Sequence, residues 1–333
     1  MTRRISKPRM GHGLSLLPSG LLAVVVAKSL AGWARKVKCD TSALTFAFGP
    51  SAGLYSTLAS VLAGFAFLAI TLVIGGTHRR AGSEPATDAE HARHHRTDIS
   101  LLVTLTIAFV SFILASVQYG EIAGETGCAI TQGRSASEEF LAGVTFIFSV
   151  LLLFYAIVQM ISDSGIPNLG HSIRGLVAVI APPVAMLLLA AAAEEVAYTP
   201  WINGRANTSG LSGFIENARV NPGLSVLLLL LSILIWRVPV TFPRFGARIQ
   251  GGIESRGMQR FFPYISLLAA ILAVLRENTF SELRPNDGLG DVELVLWLVL
   301  CSVGLLAQSA LLSFQRMGLD PDHQRRPSRS EPP

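Results

Sequence analysis

The residues best suited to ligand chemistry lie between positions 88 and 95, where Asp88, Glu90, His91, His94 and His95 crowd together. If this stretch is helical, His91 and His95 share a face at i and i+4, as do Glu90 and His94. That spacing can bind a divalent metal. No third ligand is fixed by a neighbouring apolar segment, so a solvated linker that happens to be rich in histidine is the preferred reading.

Two further carboxylates, Glu194 and Glu195, end an apolar run. Such a pair invites comparison with the membrane-embedded CAAX-type proteases, which carry an arginine four residues after the second glutamate. Here that residue is Thr199, so an acidic helix end is preferred. Phosphate-binding loops, the GxSxG elbow and HExxH are all missing from the sequence, and no apolar run contains a histidine placed to hold haem. No cofactor is expected, and the chain reads as a non-enzyme. The three cysteines, Cys39, Cys128 and Cys301, show no finger spacing, which argues against structural zinc.

The elements that would position these groups are apolar runs. The chain of 333 residues is 50% hydrophobic and only 15% charged, with mean hydropathy +0.50. Soluble domains carry about 25% charged residues, so the bilayer is the expected solvent. Membrane lipid is then the first partner. The net charge of +5 fits basic cytoplasmic loops and calls for no nucleic acid.

The clearest run, Leu54 to Gly75, has the length of a transmembrane helix and no charge. Similar runs follow at 100–117, 140–161, 175–193 and 294–314, with shorter ones at 223–236 and 261–275. The expected fold is an all-α, polytopic transmembrane helix bundle of seven spans. Residues 11–33 read as a signal sequence, an eighth membrane helix or an extension. The expected organisation is a basic N-terminal region with its apolar segment and connector (1–53), a membrane domain (54–314) and a disordered tail (315–333).

Charge sets the orientation. Loops 76–98 and 237–260 and the tail hold arginines and belong in the cytoplasm; loops 118–139, 194–222 and 276–293 are net acidic and belong outside. The shorter runs must then cross, or five arginines between 237 and 260 would lie outside. The C-terminus is expected to be cytoplasmic in the cell membrane. Cys39 and Cys128 both fall outside, where a disulfide between them can persist, while Cys301 lies within the last span.

Two packing features stand out. Ser56, Ser60 and Gly64 form a small-xxx-small row on which another helix, a second copy of the chain or a membrane partner can pack closely. Pro182 and Pro183 predict a kink or unwinding that frees carbonyls for a partner or a wet cavity, making that span a candidate hinge. The Phe-Gly-Pro-Ser-Ala-Gly start and Leu-Ala-Gly-Phe-Ala-Phe core of the first span resemble multi-pass membrane proteins of unassigned function in high-GC Gram-positive bacteria. The expected role is a scaffold or sensor-like component. The alternative is a small-solute or cation transporter that uses the proline-containing span.

Overall fold

A computed structural model describes residues 48–80, 88–124, 132–163, 167–202, 220–242, 258–280 and 288–314. All belong to the unit Asp40–Pro333. Among the described residues there are seven helices and no strand. They are α1 (Phe48–Arg80), α2 (Asp88–Gly124), α3 (Gln132–Asp163), α4 (Pro167–Ile202), α5 (Val220–Thr241), α6 (Met258–Glu277) and α7 (Asp291–Phe314). Five of them, α1 to α4 and α7, are long and apolar enough to cross a membrane. This marks a membrane-embedded protein, because the bilayer admits helices whose backbone groups are satisfied internally.

The helices overrun the apolar runs that announce them. A hydropathy run stops at the first charges, but a helix continues as long as its polar side chains find partners. Residues 132–139, expected in a loop, form the first turns of α3. Gly49 and Pro50 sit in the first turn of α1. Proline is tolerated there, because the amide it lacks has no intrahelical acceptor.

At the centre is α3, packed by α2, α4 and α6. Its Phe140, Leu141, Leu151, Leu152 and Tyr155 are among the most buried side chains described. α1 packs chiefly on α2, while α7 lies against α4 and α5. The outward faces stay apolar: Leu54, Leu58, Phe65 and Leu72 of α1 and Leu296, Val299 and Val303 of α7 are exposed. Lipid tails are as apolar as leucine, so these faces gain nothing by burial and association rests on close packing and hydrogen bonds.

Glycines mark the closest approaches. A Cβ on Gly304 would lie 2.9 Å from Phe148 Cζ, and one on Gly175 2.8 Å from the Trp236 ring. Each ring therefore occupies the space that a side chain would need.

The row expected on α1 is only partly a contact face. The buried line of α1 is Ala52, Ala59, Ala63 and Ala66. At 3.6 residues per turn, a row of every fourth residue drifts by about 40° per step, so Ser56, Ser60 and Gly64 rotate progressively away from Ala52. Ser56 and Ser60 still reach α2. The Ser56 hydroxyl donates to the Ser116 carbonyl at 2.9 Å, that of Ser116 donates to the Ser56 carbonyl at 3.1 Å, and the Ser60 and Ser116 hydroxyls lie 2.7 Å apart. Gly64 is exposed, with open space where a Cβ would stand.

Candidate functional site

Because consecutive helices alternate in direction, the start of α1, the end of α2, the start of α3, the end of α4 and the end of α6 meet at one end of the bundle. Polar side chains from all five gather there. The Ser51 hydroxyl, at the start of α1, donates to its own helix at the Phe48 carbonyl (2.9 Å) and lies 3.3 Å from Glu139 Oε1. The second oxygen of Glu139, Oε2, is buried and has no hydrogen-bond partner. Glu139 is only 8% exposed. It interacts electrostatically with Glu195 near the end of α4, which in turn feels Glu194.

From α2, the Gln118 amide Nε2 donates to Glu277 Oε2 at the end of α6. Gln118 is 3% exposed, and its Oε1 is buried without a partner. The next residue, Tyr119, is within electrostatic range of Glu139, Tyr55 and Glu277, which ties the two carboxylate groups into one cluster. Its ring stacks on Tyr55 with centroids 5.2 Å apart, and the edge of Phe146 meets both tyrosines at 6.2 and 6.3 Å. Gly143 faces the Tyr119 hydroxyl, which a Cβ there would meet at 3.6 Å.

A frame of polar contacts fixes this end. Arg134 and Glu138 pair along α3 at 3.6 Å. The Ser137 hydroxyl accepts from the Leu289 amide at 3.0 Å and donates to the Gly133 carbonyl at 2.8 Å. Gly288 passes so close that a Cβ would come within 2.9 Å of Ser137 Oγ. The Arg276 guanidinium at the end of α6 holds the Glu293 carboxylate of α7 through both oxygens and lies over the Phe280 ring. At the opposite end Arg174 is buried with its guanidinium 5.7 Å from the centre of the Trp236 ring.

The cluster is rich in acceptor oxygens and bordered by aromatic faces. Two of its acceptors, Gln118 Oε1 and Glu139 Oε2, are buried without a donor. Among the described residues no group of three or more His, Cys, Asp or Glu side chains is placed to hold a metal ion.

The expected hinge has a different aspect. α4 is helical without interruption through Pro182 and Pro183. Pro182 has no amide hydrogen for the Ala178 carbonyl one turn earlier. That carbonyl instead accepts from the Ser309 hydroxyl of α7 at 2.8 Å, deep in the bundle. Also on α7, Gln308 Nε2 donates to the Leu151 carbonyl of α3 at 3.0 Å. The carbonyl released by Pro182 thus finds a serine.

His91 and His95 fall on the helical backbone of α2, but their side chains lie outside the described residues, as do Cys39 and Cys128, the segment 11–33 and the tail 315–333. Cys301 is buried with a free thiol. Glu194 and Glu195, adjacent in sequence, do reach the polar end, while Gln118, Tyr119, Glu139 and Glu277 belong to no local motif. Their signal was positional: each ends or begins an apolar run on the same side of the bundle.

No protein-family model, curated protein or solved structure matches this chain.

Proposed function

We propose that this chain is a multi-pass protein of the cell membrane in which all seven described helices cross the bilayer, with the start of α1 outside and the end of α7 in the cytoplasm. It works as a non-enzymatic scaffold or sensor-like component, through helix packing and through contacts made at its acidic outer end. α5 and α6 contain 22 and 20 residues; at 1.5 Å per residue they reach about 33 and 30 Å, the thickness of the hydrocarbon. With them crossing, Arg237, Arg244, Arg248, Arg256 and Arg260 stay on the cytoplasmic side.

The observation that supports a scaffold or sensor over a transporter is the contact between Ser309 and the Ala178 carbonyl. A solute path along α4 needs backbone groups offered to water or substrate at mid-membrane. Here the carbonyl released by Pro182 is taken up by a neighbouring helix. The test is reconstitution into liposomes loaded with reporters for protons, sodium and potassium. Flux no greater than in protein-free liposomes is expected. Flux that disappears on replacing Pro182 and Pro183 would overturn this reading and establish the transporter.

A further inference from the structure

We infer that the buried carboxyl of Glu139, near the start of α3, is a proton-binding site: it is neutral in the folded bundle and gives up its proton as the outer medium turns alkaline, which loosens the packing of α1 and α4 on α3. The inference gives the sensor-like reading its signal and rests on that reading.

Glu139 is 8% exposed, and its two oxygens differ. The Ser51 hydroxyl of α1 donates to Oε1 at 3.3 Å, while Oε2 is buried without a hydrogen-bond partner. An ionised carboxylate in such a place needs a cation or several donors, and one serine at that distance supplies little of the need. A neutral carboxyl asks for much less, because burying a charge costs far more than leaving one hydrogen bond unmade. Ser51 engages Oε1, which leaves Oε2 as the oxygen that carries the proton.

Among the described residues, nothing that faces Glu139 supplies positive charge to hold it ionised. From α4 it meets Glu195, with Glu194 beside it, and a carboxylate there opposes a second negative charge nearby. From α2 it meets Tyr119, and Tyr119 in turn faces Tyr55 of α1 and Glu277 of α6. The described arginines at this end pair with other carboxylates, Arg134 with Glu138 along α3 and Arg276 with Glu293. Because α1, α2, α4 and α6 all pack on α3, a charge created at Glu139 acts on several helix ends at once. Ionisation sets Glu139 against Glu195 across the contact between α3 and α4, and it draws water to Oε2 beside the Ser51 contact with α1.

Infrared difference spectroscopy of the full-length protein in bicelles follows the C=O stretch of neutral carboxyls. At about pH 6 exposed glutamates are ionised, so a remaining neutral-carboxyl band comes from buried groups. The expected result is a component of that band that is present at about pH 6, disappears by about pH 9 and is missing from Glu139→Gln. The melting temperature is the second readout. A proton held by the folded chain and released by the unfolded one makes stability fall as pH rises from the ordinary carboxylate range, until the site itself ionises. The native protein should therefore melt several degrees below Glu139→Gln at about pH 9 and gain on it steadily toward about pH 5. Glu293→Gln, at the same end but paired with Arg276, should keep the native pH dependence in both readouts.

A band unchanged in Glu139→Gln overturns the inference, as does the same pH dependence of melting in that variant and in the native protein. If the variant does not fold, Ser51→Ala decides: losing the hydroxyl on Oε1 must move the band, and an unmoved band refutes the site. The liposome flux assay judges the sensor reading separately. Flux through a protein that shows the band would refute the sensor and keep the site; no flux and no band would refute the site and keep the sensor.

Discussion

Replacing Ser309 with alanine removes one hydroxyl and nothing else of consequence from the contact between α4 and α7. In the native bundle that hydroxyl donates to the Ala178 carbonyl at 2.8 Å. No α4 amide can take its place, because the residue one turn on is Pro182. An acceptor left unpaired in a buried site costs about 1–3 kcal/mol, while interhelical hydrogen bonds measured in bilayers average about 0.6 and reach about 1.7 kcal/mol. Ser309 is fully buried, so a loss of about 1–2 kcal/mol is expected.

Reversible unfolding of the bicelle-reconstituted protein by a denaturing detergent provides the assay, run as a double-mutant cycle with Pro182→Ala. Alanine at 182 restores an amide that can bond the Ala178 carbonyl within the helix, so Ser309→Ala should cost about 1 kcal/mol less in that background. Equal costs in both backgrounds would show that the serine does not compensate for the proline.

Two further expectations concern packing and covalent pairing. Gly304→Leu should destabilise the protein by about 1–3 kcal/mol, because Phe148 already fills the space beside it, whereas Gly64→Leu, facing open space, should stay within about 0.5 kcal/mol; comparable losses at the two sites would contradict the assignment of faces. The disulfide expected between Cys39 and Cys128 is checked by alkylation under denaturing conditions without reductant, which should label Cys301 alone; labelling of all three cysteines would exclude that disulfide.

The helices were legible in the sequence because hydrophobic runs of membrane length have few alternative explanations. What joins them was not. Ser51 and Glu139 are separated by 88 residues, Gln118 and Glu277 by 159, and Ala178 and Ser309 by 131. No local pattern announces such pairs, since each depends on which helix ends the bundle brings to one level. Of the row on α1, Ser56 and Ser60 meet α2 while Gly64 faces open space, for a geometric reason: its period exceeds the helical repeat, so it winds off the face that begins at Ala52. The proline pair was visible, and so was the need to satisfy a freed carbonyl, but a sequence cannot say whether a serine on a distant helix or water will do it.

The measurement that bears most directly on the proposed arrangement asks on which side of the membrane the loops flanking α6 lie. In a cysteine-free background, Ser255→Cys and Ser281→Cys place single thiols before and after α6, and a membrane-impermeant maleimide is applied to intact cells. Seven crossing helices with the acidic end outside require Ser281→Cys to be labelled at once and Ser255→Cys only after permeabilisation. Labelling of Ser255→Cys in intact cells would contradict the arrangement, because α5 and α6 would then fail to cross and only the five longest helices would span the membrane.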